Sequence, residues 1–206
     1  ITSEKDLLST AKEIGFPMVL KPAGLTGGAC VKVGIKNYQE LKDTYKSILL
    51  ELKQREQDKD VMYMPYQKQI LAQKMVEGKD FRILVVNGKV EIVTNRIPAR
   101  VTGDGKNSIK KLIEKENMDP RRDTTLPTHT LKPIKIDETL EKIVEEQGFS
   151  LSDVPPNGKI VYVRKVASMS QGGITEDYTD KTHPQIKLIC EAIAESIHSY
   201  VLGIDV

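Results

Sequence analysis

The sequence predicts an α+β chain of two lobes, each built on an antiparallel sheet with helices. Three observations predict it. The first 53 residues read helix–strand–strand–helix. Asn87-Gly88 stands between two runs rich in β-branched residues and is the strongest short hairpin signal available. Between these regions lies a polar stretch, 54–69, that serves as a natural hinge between a small front lobe and a larger back one.

In order, residues 3–14 form a helix that Ser3 can cap, with Leu7, Leu8, Ala11 and Ile14 as its apolar stripe. Gly15 stops it and Pro17 forbids continuation. Met18-Val19-Leu20 is a buried strand running into Lys21-Pro22, then a glycine-rich loop, Gly24 to Gly28. Val31, Val33 and Ile35 alternate as a return strand, and Tyr38 to Lys53 is a long helix. Strands are expected at Ile70–Val76, Phe81–Val86 and Lys89–Ile97. Counting outward from Asn87-Gly88 places Arg82 opposite Val93 and Arg96 slightly beyond Lys79, at one end of the hairpin with the face left open. Ser108 caps a helix through about Glu116. Residues 118–135, with three prolines and Arg121-Arg122, read as an exposed excursion. A helix from Asp137 to Gln147, a strand from Lys159 to Arg164 and a glycine-containing loop from Ser168 to Asp180 follow. The last helix opens at Pro184, carries Ile186, Ile189, Cys190, Ile193, Ile197 and Val201 on one face, and is expected to end at Gly203. The chain has no internal repeat.

A chain of 206 residues can bury a full core. Its net charge of +2 and few aromatics argue against nucleic acid, including a nucleic-acid role for the basic stretch 106–122, and against an anionic membrane as partner. No apolar run approaches a membrane span and no signal peptide opens the chain. Cys30 and Cys190 form no CxxC motif, which suits a reducing cytosol, and the three histidines show no ligand spacing.

Nucleotide chemistry asks for cations and backbone donors at phosphates, an apolar slot for a base and carboxylates for a metal. Lys21 at a strand end with the loop 24–28 suits phosphates, since glycines let N–H groups approach closely. It is not a Walker A, as no Gly-Lys-Ser/Thr opens a helix. Asp80 can accept two hydroxyl hydrogen bonds. Arg82, Arg96 and Arg164 lie on or beside half-buried strands, where a guanidinium calls for an anion. Asp205 is the one metal candidate. Each residue also has a plainer reading: a turn after a strand for the lysine loop, a surface acid for Asp80 and Asp205, a salt bridge for each arginine.

Taken jointly, Gly15-Phe16-Pro17-Met18-Val19-Leu20-Lys21-Pro22, Glu77-Gly78-Lys79-Asp80-Phe81-Arg82, the run from Arg96 to Gly105, the run from Arg164 to Gly173, Asp177-Tyr178-Thr179-Asp180 before His183-Pro184, and Leu202-Gly203-Ile204-Asp205-Val206 resemble the ATP-grasp ligases. More narrowly, they look like the ligase module of cyanophycin synthetases and bifunctional glutathione synthetases. The resemblance spans about Gly15 to Val206. It implies an ATP-grasp fold with ATP between two antiparallel sheets, residues 1–69 as the small lid subdomain and 70–206 as the large one, with an excursion at 103–157. It also implies truncation at both ends, the chain stopping before a Glu-x-Asn that completes the magnesium site in that family. The activity implied is ATP-dependent carboxylate–amine ligation through an acyl phosphate, with ATP and Mg²⁺ as cofactors and amino acids or peptides as substrates.

By the same resemblance Lys21, Gly27 and Gly28 hold phosphates. Gln73, Lys74, Met75 and Val76 form the adenine hinge, Asp80 takes the ribose, and Arg82, Arg96 and Arg164 are the catalytic cations. Asp205 holds the metal. The chain departs from the family at Ala29-Cys30, where a second glycine is usual, at Gln73, where Glu is common, and at Ser168, where Asn is usual. These departures motivate an alternative: a degenerate module that binds nucleotide without turnover. Flanking domains of a longer chain, a possible homo-oligomer and a cytoplasmic location complete the expectations.

Overall fold

A computed structural model describes residues 1, 3–25, 28–57 and 69–206. The chain divides into two compact units, Ile1–Glu77 and Gly78–Val206. Among the described residues no helix is long and apolar enough to cross a membrane.

In the first unit, helix α1 (Glu4–Ile14) is capped by Ser3, whose side chain accepts from the Asp6 N–H, and buries Leu7 and Ala11. Gly15 ends it with a positive φ of 74°. Strands β1 (Met18–Pro22) and β2 (Lys32–Ile35), helix α2 (Tyr38–Gln57) and strand β3 (Ile70–Lys74) complete the unit. The antiparallel sheet runs β2-β1-β3. Its covered face carries Met18, Leu20 and Ile70, packed with Leu7 of α1 and Leu41 and Ile48 of α2, all fully buried. Each such side chain contributes ~1.5–3 kcal/mol of hydrophobic stabilisation.

The sequence places the boundary between 69 and 70. In the structure it falls after Glu77, because β3 pairs with β1 along its whole length, from Met18 opposite Lys74 to Pro22 opposite Ile70. β3 is therefore a strand of the first sheet. The expected hinge, 54–69, lies largely outside the described residues.

The second unit contains strands β4 (Asp80–Val86), β5 (Lys89–Ile97) and β6 (Arg100–Thr102), helices α3 (Ile109–Asn117) and α4 (Glu138–Glu145), strands β7 (Ile160–Tyr162) and β8 (Ile174–Asp177), helix α5 (Pro184–Ser196) and strand β9 (Val201–Asp205). Its main sheet has the order β8-β5-β4-β9, and β6 and β7 form a separate pair. One face of the main sheet, with Ile83, Val85 and Val93, packs on Cys190 and Ala194 of α5. A second core joins α3 and α4 to β6 and β7 through Val101, Ile113, Leu140 and Val161.

Two readings of this unit are corrected. The 168–180 loop contains β8, held by pairing to the outer edge of β5 from Thr94–Asp177 to Ile97–Ile174. The last helix stops at Ser196, where His198 turns to a positive φ of 51°, and Val201 and Gly203 lie within β9. Pairing with β4 outweighs the helical periodicity there, because β4 would otherwise present an unpaired edge.

Candidate functional site

The open face of the main sheet is set by a one-residue bulge. Near the turn, Val86 faces Lys89 and Val85 faces Val90. Beyond it Leu84 faces Ile92, so Glu91 is the extra residue and the register shifts. Arg82 therefore lies opposite Thr94, where the sequence count places it opposite Val93, and Arg96 lies opposite Asp80. Directly paired residues share a face of a sheet. Asp80, Arg82, Thr94 and Arg96 thus come to one face, while Phe81, Ile83, Val93 and Ile97 turn to the core. Without the shift, Arg96 would point away from Arg82.

β9 adds Asp205 to the same face, opposite Arg82. Its Oδ1 accepts from Arg82 Nη1 at 2.9 Å and from Arg96 Nη2. A nitrogen of Arg96 also lies 3.7 Å from Asp80 Oδ1. Two guanidinium groups and two carboxylates form one patch. The Asp80 carboxyl is raised above its ordinary value, first by burial, against the pull of Arg96 and with the push of the Asp205 charge.

Gly203 makes the patch possible. A Cβ there would come within 2.6 Å of Arg82 Cζ and 2.7 Å of its Nε. The guanidinium lies flat over the bare backbone of β9 to reach Asp205. The sequence reading took Gly203 as a helix stop. The signal for its part is its position two residues before Asp205, where a strand puts both on one face.

The structure does not bring Arg164 to this patch. Arg164 is 6% exposed, and its Nη1 and Nη2 both donate to Asp137, with Nη2 also reaching the Lys135 carbonyl. Asp137 is the N-cap of α4. Although burial pushes its carboxyl up, the Arg164 and backbone hydrogen bonds hold it below the usual range. Arg164 ties α4 to the end of β7, a structural salt bridge, and no ion pair among the described residues joins it to Asp205.

In the first unit, Lys21 is half-buried on the central strand. It faces Leu71, and Val19 faces Gln73, so Lys21 and Gln73 share the open face of that sheet. Lys74 pairs with Met18 and turns to the helix side, where its Nζ would lie 3.7 Å from a Cβ on Gly15. Met75 donates its N–H to the Pro17 carbonyl at 2.9 Å. Val76 is 84% exposed. Gly28 has a positive φ of 76° and accepts from the Val31 N–H. Gly27 lies outside the described residues.

Chemically, the second unit's face offers two N–H forks to an anion and carboxylate oxygens to a cation. Among the described residues no three His, Cys, Asp or Glu side chains gather as a preformed metal cage. The residues fit magnesium in another way. That ion is usually held by one or two carboxylates, with phosphate oxygens and water completing six positions. Asp205 is such a carboxylate, its Oδ2 making no hydrogen bond among the described residues.

No protein-family model matches the chain. It is 36% identical over 192 residues, 93% of its length, to the cyanophycin synthetase of Synechocystis sp.. It is 35% identical over 136 residues, 66% of its length, to the glutathione biosynthesis bifunctional protein of Clostridium perfringens. It covers 20% and 17% of those two proteins, so it spans about a fifth of the curated relatives it matches. A solved bifunctional glutathione synthetase from Pasteurella multocida superposes on all of this chain with a TM-score of 0.58, at 24% identity, using 26% of that protein.

Proposed function

The chain has the ATP-grasp fold and is homologous to cyanophycin synthetases and bifunctional glutathione synthetases, and from this we propose that it carries nucleotide-binding and phosphoryl-handling parts of an ATP-dependent carboxylate–amine ligase. The observation that carries the reading is the convergence of Arg82, Arg96 and Asp205 on one sheet face.

In the proposed reaction a substrate carboxylate oxygen attacks the γ-phosphorus of ATP, and the bond to the bridging oxygen of ADP breaks. An amine then attacks the acyl carbon of the resulting acyl phosphate. Phosphate leaves, the nitrogen loses a proton and an amide remains. No side-chain nucleophile is required. The protein's contribution is electrostatic, through cations placed where negative charge moves. Lys21 and the Gly28 backbone hold phosphate oxygens. Gln73 and the backbone at Val76 meet the base, the Met75 N–H being already taken by Pro17. Asp80 accepts from sugar hydroxyls. Arg82 and Arg96 neutralise the transferring phosphoryl group. Asp205 would hold magnesium, which supplies Lewis-acid charge neutralisation at the phosphates. Substrates of the amino-acid or peptide class, further domains and any oligomer belong to this same proposal.

The test is a thermal-shift titration with ATP and ADP, with and without magnesium, beside Lys21→Ala. The expected result is a nucleotide-dependent rise in melting temperature that the variant loses. No rise at millimolar nucleotide would sink the reading. A full rise in Lys21→Ala would remove that residue from the phosphate site. The binding-only alternative predicts nucleotide binding without ADP release when amino acids are added.

A further inference from the structure

We propose that Asp205 makes this face selective for magnesium-bound nucleotide over the free anion, by engaging Arg82 and Arg96 until a metal takes its carboxylate. The inference rests on the ligase reading and concerns the same site. Asp205 Oδ1 accepts from both arginines at once. Asp205 withholds one N–H of each arginine from an incoming phosphate, and its charge offsets theirs. Asp80, 3.7 Å from Arg96 on the same face, adds a second negative charge. A metal-free nucleotide therefore meets two guanidinium groups whose charge Asp205 already partly neutralises, each with one N–H withheld, beside another anion. A magnesium-bound nucleotide exchanges partners instead. The carboxylate passes to the metal, the guanidinium forks pass to phosphate oxygens, and no charge is stranded.

The consequence runs against the usual expectation for a metal-ligand mutant. Asp205→Asn removes the charge that engages both arginines, so binding of metal-free nucleotide improves. Calorimetric titration of the 206-residue chain with a non-hydrolysable ATP analogue, in magnesium or in EDTA, reads this directly. The expected result for Asp205→Asn is affinity in EDTA raised roughly fivefold over the unchanged chain, the scale of one exposed ion pair, with the benefit of magnesium lost. Asp80→Asn removes a charge from the same face while keeping the Asp205 contacts, but it also weakens the acceptor for the sugar hydroxyls, so no gain in EDTA is expected of it. Asp205 is 58% exposed on an edge strand, so the isosteric change should leave the fold intact, and a melting curve checks this. Asp205→Ser provides a second variant with the same expected direction. Unchanged or weaker EDTA affinity in folded Asp205→Asn overturns the inference. Absence of binding by the unchanged chain in either condition refutes the ligase reading and the inference with it.

Discussion

At Gly203 the absence of a side chain decides where an arginine can lie. The guanidinium of Arg82 occupies the space a methyl group would take, and through it reaches Asp205. Gly203→Ala is therefore expected to lift Arg82 off β9 and to weaken binding of magnesium-bound nucleotide severalfold in a calorimetric titration. Stability should change by less than about 1 kcal/mol, because an exposed ion pair is worth ~0.2–1 kcal/mol. Unaltered affinity in that variant would mean Arg82 meets its ligand from elsewhere. At this scale the sequence was legible for residue types and opaque for partners. Lys21, Arg82, Arg96 and Asp205 stood out as charges on strand positions. Arg164 stood out equally, yet its guanidinium is consumed by Asp137, twenty-seven residues away in sequence. Nothing local distinguishes a strand arginine that meets a helix cap from one that meets a carboxylate on a neighbouring strand.

Among the elements, the hairpin and the third strand show how pairing rewrites a local reading. Asn87-Gly88 correctly marked the turn, Asn87 and Gly88 both adopting positive φ. The bulge at Glu91 left no mark in the sequence, and it alone brings Arg96 to the face of Arg82. The third strand was read as the start of the large lobe because a polar stretch precedes it. Its hydrogen bonds to β1 place it in the small one. A chain cut after Glu77 should therefore fold by itself, giving dispersed amide resonances and a cooperative urea transition. A chain cut at residue 69 loses Ile70, fully buried in that core, and every bond between β3 and β1. It is expected to be unfolded in the same NMR measurement, and dispersed resonances from it would refute the assignment of β3.

Over the whole molecule, acid stability follows from where carboxylates are held. Asp104 is lowered to about 2 by the side chain and N–H of Asn107 and the N–H of Lys106. Asp119 is lowered to about 2 by the Arg121 side chain and N–H. A carboxyl held below its unfolded value adds stability that is present above the unfolded pKa and is lost as pH falls through the folded one. Urea midpoints of the second unit should therefore be level above about pH 4 and decline toward about pH 2, to which both carboxyls are lowered. Asp80, raised by burial, has the opposite sign: it costs stability at neutral pH, and the cost is relieved as pH falls through its raised value. Urea midpoints that stayed level down to pH 2 would contradict the turn assignments. Both acids are partly exposed, so the decline should be shallow and salt-dependent.

The sequence by itself determined the two-lobed α+β class, most strands and helices, the hairpin turn and the charged residues available for chemistry. These rest on near neighbours: periodicity, caps and turn residues act within a few positions. The tertiary structure alone decided the unit boundary, the bulged register, the strand at Gly203 and which arginines meet Asp205. Each of these depends on pairing or packing between residues far apart in the chain, where a shift of one residue exchanges the faces of a strand.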